Sequence, residues 1–342
     1  MVSMRAKRVW GIVYLGLLAV SGIWKTFFPF SISPMPEQES VTVSIDESAN
    51  SEVEIRFLDT KREIPDSRPS IVLLHGSPMA SSTFDTLLPH LSDKYRLIVP
   101  DLPGFGRSQR SISDYSITAH GLYLEKLLDE LQVTECHLVG YSMGGGVAVE
   151  LCDSRPDLVK SLTLVSSIGL QEYELLGDYT LNHALHAAQL FGFWALDWVV
   201  PHFGYFDRVL LNYRYARNFY DTDQRPLREA MLAWEKPVLI VHGDQDGLVP
   251  YDAAIAHRIV MPQSRLATYE DAGHLAIYRQ PERFGRDLSR FVDDVEIGAA
   301  AHREGSALVD ELAARGMQRS GVFMATLLGI STFVSEDLAC IG

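Results

Sequence analysis

Gly140-Tyr141-Ser142-Met143-Gly144 follows the apolar run His137-Leu138-Val139 and opens onto Gly145-Gly146-Val147-Ala148-Val149. A short apolar run, a small-residue break and a second apolar run read as strand, sharp turn and helix. A serine hydroxyl on a flat strand or in mid-helix is hard for a substrate to reach. A tight turn lifts it above the sheet edge, and glycines on either side let strand and helix close around it.

Three further stretches fall where acyl-transfer chemistry needs them. Ile71-Val72-Leu73-Leu74-His75-Gly76-Ser77-Pro78 is a β-branched strand ending in a glycine turn. A backbone N–H just after such a strand can face a developing oxyanion, and the two donors are assigned to the amides of Ser77 and Met143. Pro237-Val238-Leu239-Ile240-Val241-His242-Gly243-Asp244-Gln245-Asp246-Gly247-Leu248-Val249-Pro250 delivers an acidic loop from a buried strand. Arg265-Leu266-Ala267-Thr268-Tyr269-Glu270-Asp271-Ala272-Gly273-His274 ends another strand in a histidine.

The serine, acid and histidine occur in the chain order of the α/β-hydrolase superfamily, which the sequence closely resembles from Val41 to Val295. Asp101-Leu102-Pro103-Gly104-Phe105-Gly106-Arg107-Ser108 is similar to that family's loop after its fourth strand. The resemblance implies Ser142 as nucleophile, His274 as general base and acid, and Asp246 as the acid orienting it. Asp244 is the rival. The family pattern, with its acid four residues before the Pro250-type proline, favours Asp246. Gly76, Tyr141 and Trp194 are expected to contact substrate. A serine nucleophile argues against the aspartate chemistry of this fold's epoxide hydrolases and haloalkane dehalogenases.

The other histidines call for plainer readings. His75 and His242 read as structural. His90, His120, His137, His257 and His302 lack a partner motif, so surface or packing roles are their default. Asp101 reads as tying its own loop through backbone hydrogen bonds. No H-E-x-x-H, C-x-x-C or EF-loop pattern occurs, so no metal is expected, and no organic cofactor is implied.

Composition fits one globular domain with appendages: 342 residues, 47% hydrophobic and 22% charged. A net charge of -14 argues against nucleic acid, because a phosphate-binding face needs clustered Lys and Arg. Cys136 and Cys152 read as small packing residues, and the three scattered cysteines are not a disulfide framework.

Val41–Ile45 and Val53–Phe57 alternate at strand period and are the expected first, antiparallel strands. Ile71–His75, Tyr95–Val99, His137–Gly140, Ser161–Val165, Val238–His242 and Arg265–Tyr269 follow, separated by helical segments such as Tyr115–Leu131, Gly144–Ser154 and the closing Pro281–Asp294. The pattern predicts an α/β fold: a mostly parallel central sheet with helices on both faces and a helical cap, preceded by an N-terminal membrane helix. The expected divisions are an anchor or signal segment at 1–30, a linker at 31–40, the hydrolase domain at 41–297 with its cap near 168–234, and a tail at 298–342. The cap is rich in aromatics, Trp194 and Trp198 among them. They read either as a lid for an apolar substrate or as ordinary helix packing.

Val9–Trp24 carries no charge and follows Arg5, Lys7 and Arg8. Its sixteen residues are just short of the usual ~17–25 for a span. Phe27, Phe28 and Phe30 extend it. A retained anchor is favoured over a signal peptide cleaved near Ala19-Val20-Ser21. The positive-inside bias then faces the hydrolase domain outward. At the other end, Gly321–Val334 is a second apolar run that resembles the beginning of a DedA-like (VTT) membrane domain and reads as a truncated one. Arg315 and Arg319 before it oppose the outward orientation.

The leading function is a membrane-anchored serine hydrolase of carboxylic esters, with a small-molecule substrate of lipid-derived type. The same triad also serves C–C hydrolases, amidases and aminopeptidases. A non-catalytic hydrolase-fold module of a membrane protein is the third alternative. Oligomeric state is not legible.

Overall fold

A computed structural model describes residues 3–28, 38–45, 52–60, 68–204 and 213–301. The eight apolar runs are strands: β1 (Glu39–Ser44), β2 (Glu52–Asp59), β3 (Ser70–Leu74), β4 (Arg96–Pro100), β5 (Cys136–Tyr141), β6 (Val159–Val165), β7 (Val238–Gly243) and β8 (Arg265–Tyr269). They form one sheet in the order β1-β2-β4-β3-β5-β6-β7-β8. The pairs β1/β2 and β2/β4 are antiparallel. From β4 to β8 every pair is parallel.

Parallel strands need helical crossovers, and crossovers cover both faces. Every residue of β5 and β7 is accordingly buried. Successive side chains of each strand enter different cores. Val72, Leu74, Leu138, Leu162, Leu164, Val238 and Ile240 pack with α2 (Ile117–Glu130), α3 (Met143–Ser154) and α7 (Tyr251–Val260). Ile71, Leu73, Val139, Val165, Leu239 and Val241 pack with α9 (Pro281–Glu296) and the short α8 (Ala276–Arg279). Ser116 caps α2 by accepting the Ala119 N–H. Between β6 and β7 lie α4 (Tyr179–Val199), α5 (Tyr213–Asp221) and α6 (Leu227–Ala233).

One glycine sets how tightly β5 and α3 meet. A Cβ at Gly140 would stand 2.4 Å from the Gly144 carbonyl oxygen and 2.5 Å from the Gly145 Cα. Backbone cannot yield as a side-chain tip does. Gly140→Ala is therefore expected to destabilise the protein by on the order of 1–3 kcal/mol. Thermal unfolding would register this as a lowered Tm, and an unchanged Tm would show that the turn relaxes freely.

The N-terminal helix α1 runs from Met4 to Phe27, longer than the apolar run alone, because Ser3 caps it and the basic lead is helical. Its 24 residues rise about 36 Å, enough for a hydrocarbon core of about 30 Å. Among its residues only Ser21 is buried. Length and composition suit a membrane span, or a signal sequence. The C-terminal apolar run at 321–334 and its DedA-like resemblance lie outside the described residues, as does His302.

Candidate active site

Ser142 follows β5 directly and stands at the N-cap of α3 at φ 54° and ψ -117°. Positive φ is uncommon for a residue with a Cβ, and it persists only where the surroundings fix it. Here the Ser142 N–H donates to the Val165 carbonyl at 2.9 Å. Its own carbonyl accepts from Gly145 at 3.0 Å and Ile168 at 3.2 Å. The serine is half-buried, while its neighbours Tyr141 and Met143 are buried.

His274 arrives from the loop after β8. The Ser142 Oγ donates to its Nε2 at 3.1 Å, and its Nδ1 donates to the Asp246 Oδ2 at 2.8 Å. The other carboxylate oxygen, Oδ1, accepts the N–H groups of Leu248 at 2.9 Å and Val249 at 3.0 Å. Burial pushes the Asp246 carboxyl up, but the His274 hydrogen bond and charge and the two amides outweigh it. Its pKa falls below the usual carboxylate value, so it is ionised at neutral pH. Asp244, two residues earlier, is exposed. The loops are held by backbone contact. The Gln245 N–H donates to the Ala272 carbonyl at 2.9 Å, and a Cβ at Gly243 would meet that oxygen at 2.2 Å.

The expected oxyanion donors flank the serine. Met143 opens α3, where unpaired amides and the helix dipole favour negative charge. Ser77 follows Gly76, and a Cβ at Gly76 would approach the Ser142 Cβ to 2.9 Å. His75 is structural. Its Nε2 accepts the Leu102 N–H at 3.0 Å and its Nδ1 donates to the Gly76 carbonyl at 2.8 Å. Burial lowers its pKa, so it is neutral. Asp101 ties more than its own loop, accepting the N–H of Arg107 at 2.9 Å and of Ser81 at 2.7 Å. His242 is a packed strand-end residue, fully buried, with Nε2 2.9 Å from the Val249 carbonyl. His120, His137 and His257 are buried, and His90 is exposed.

The other two expected substrate contacts differ in their surroundings. Tyr141 is fully buried and donates its hydroxyl to the His274 carbonyl at 3.0 Å. Such a ring has no surface to offer a substrate. It braces the histidine loop, with its ring 5.2 Å from the imidazole. Trp194 is 56% exposed, and its ring neighbours are Phe191 and Trp198. Nothing in the composition of the x position of G-x-S-x-G announces the brace, since it depends on a residue 133 positions away. Among the described residues no group of three His, Cys, Asp or Glu side chains is arranged to hold a metal.

A strained serine after the central strand of a mostly parallel sheet, backed by an acid and a histidine from the ends of the last two strands, defines a class. The chain is a protein of the α/β-hydrolase fold. Residues 69–212 match the family described as alpha/beta hydrolase fold. The chain is 28% identical to the uncharacterized protein Rv2715 of Mycobacterium tuberculosis, over 78% of this chain and 85% of that one. It is likewise 28% identical to a pimeloyl-[acyl-carrier protein] methyl ester esterase of Aeromonas salmonicida, over 66% of this chain and 95% of the relative. The solved structure of a membrane phospholipase A superposes with a TM-score of 0.60 at 21% identity, covering 85% of this chain and 95% of that one.

Proposed function

We propose that this protein is a serine hydrolase of carboxylic esters with an apolar acyl or alcohol part. The observation that carries this reading is the Ser142–His274–Asp246 hydrogen-bond chain, at 3.1 and 2.8 Å. His274 Nε2 takes the Ser142 proton as Oγ bonds to the ester carbonyl carbon. The Ser77 and Met143 amides hold the resulting oxyanion, and the absence of a side chain at Gly76 leaves room for it. His274 then gives the proton to the leaving alcohol oxygen as the C–O bond breaks. A water deprotonated by the same nitrogen attacks the acyl-enzyme, and Ser142 recovers its proton. No step calls for a cofactor.

The domain plan is an anchor at 1–30, a linker at 31–40 and a hydrolase domain at 41–297 with its cap near 168–234. The aromatic-rich segment between β6 and β7 supports the apolar substrate. With p-nitrophenyl esters, medium-chain acyl groups should turn over several-fold faster than acetyl, each buried methylene being worth about 0.8 kcal/mol. A flat chain-length profile would count against the apolar site. The basic residues Arg5, Lys7 and Arg8 before the anchor support an outward-facing hydrolase domain. Protease added to intact cells should then digest it, and full protection would sink that orientation.

A further inference from the structure

The last three turns of α4 present an unusual surface. In the stretch Leu190-Phe191-Gly192-Phe193-Trp194-Ala195-Leu196-Asp197-Trp198-Val199-Val200 no residue is buried. Phe191, Trp194 and Trp198 recur at i, i+3 and i+7, on one side of the helix. They are 67%, 56% and 67% exposed. Their rings form a ladder, with centroids 5.7 and 6.3 Å apart. A contiguous apolar patch of this kind on a folded domain marks a surface that meets lipid or protein.

The chain itself indicates which. The single charge in the stretch, Asp197, is bonded to Lys25 Nζ of α1 at 2.8 Å, and His202 Nε2 lies 2.8 Å from the same oxygen. Ser21 Oγ accepts the backbone N–H groups of His202 at 3.1 Å and Phe203 at 2.9 Å. The Tyr14 hydroxyl donates to the Val199 carbonyl. Trp24 meets Phe203 edge-on at 6.5 Å. A serine side chain has almost no reach, so the chain after α4 must run alongside α1 at the level of Ser21. That level is six residues, about 9 Å at 1.5 Å per residue, from the helix end at Phe27. It lies inside the uncharged run Val9–Trp24. Whatever surrounds that run also surrounds the end of α4.

We propose that the Phe191–Trp194–Trp198 face of α4 is immersed in the lipid bilayer beside α1, so that the segment between β6 and β7 docks on the membrane. The proposal rests on α1 being a retained anchor and does not need the hydrolase reading. Tryptophan suits the interfacial zone, and pairing with Lys25 lowers the penalty on Asp197, the one charge in the stretch, whose side chain is half exposed. The exposed apolar surface adds to an anchor that already crosses or enters the leaflet, as a second attachment does for lipidated proteins.

The test uses the full chain in vesicles of phosphatidylcholine and phosphatidylglycerol, with Cys340→Ala removing the cysteine that is neither Cys136 nor Cys152, both of which are buried. An environment-sensitive nitrobenzoxadiazole label is placed in turn at Trp198→Cys, Phe191→Cys, Leu15→Cys in α1 and Asp157→Cys, in the turn leading into β6. Lipids carrying acyl-chain nitroxides should quench positions 198, 191 and 15 to a similar extent and leave position 157 bright. Aqueous iodide should do the reverse. Iodide quenching at 198 and 191, with lipid quenching at 15, would overturn the proposal while leaving the anchor intact. Protection of 198 and 191 from both quenchers would overturn it in favour of a protein partner, such as a second copy. Loss of lipid quenching at 15 as well would remove the anchor on which the proposal stands. Ester turnover, read separately on the unlabelled protein, is unaffected by any of these results.

Discussion

Ser142→Ala is expected to end covalent labelling by a fluorophosphonate probe and to lower ester turnover by on the order of a million-fold, the loss typical of removing a triad nucleophile. The hydroxyl has three features that a bystander serine lacks. It stands at a positive φ fixed by three backbone hydrogen bonds. It donates to an imidazole whose far nitrogen is already committed to a carboxylate. It also lies beside a glycine, Gly76, whose Cβ, if present, would come within 2.9 Å of the Ser142 Cβ. Alanine inherits the same backbone strain, so the variant should fold with an unchanged Tm and keep only what the oxyanion amides and binding supply, about 1,000- to 10,000-fold over water. Labelling that persists in the variant would locate the reactive group elsewhere. Absent labelling in folded, detergent-solubilised wild type would favour a non-catalytic hydrolase-fold module.

Asp246→Asn should cost about 10,000-fold in turnover, with little change in fold. The loss comes from which way the new amide must face. Oδ1 of Asp246 accepts two backbone N–H groups, from Leu248 and Val249. An asparagine keeps its oxygen on those donors, which turns its NH2 toward His274 Nδ1. That nitrogen must then accept, so the imidazole proton moves to Nε2 and the lone pair facing Ser142 is gone. The histidine stays in place but in the wrong tautomer. Rates measured across pH should show no recovery from pH 6 to 9, because the defect is the proton's address and not its affinity. A loss below about tenfold would mean that another acid serves His274, with Asp244 the first to try.

How much of this was legible in the sequence follows from the range of the interactions concerned. Parallel strands buried on both faces read as continuous β-branched runs, so all eight strands stand within a residue or two of their expected positions. The Ser142, Asp246 and His274 loops were readable because each follows such a run. The bracing role of Tyr141 is not legible, because its partner is the His274 carbonyl, and a hydroxyl bonded across 133 residues leaves no local trace. The segment between β6 and β7 was legible only in composition. Some of its aromatics pack on one another, as Tyr179, His183 and Tyr220 do. Others, Phe191, Trp194 and Trp198, face outward. The count of aromatics is the same either way. The meeting of Ser21 and Lys25 with residues 197–203 joins positions more than 170 apart and had no signature at all.

The turn after β3 and the turn after β5 touch through main chain. A Cβ at Gly144 would come within 2.5 Å of the Leu74 carbonyl oxygen and 2.7 Å of that of His75, much as one at Gly76 would strike Ser142. Helices α4 and α5, by contrast, meet their surroundings mainly through side chains such as Asn218, Asp221 and Asp197. Divergence among descendants of this chain is therefore channelled. A side chain added in the two turns has to displace main chain, whereas an exchange between β6 and β7 displaces side chains. One lineage can in this way keep the geometry around Ser142 while reshaping what covers it.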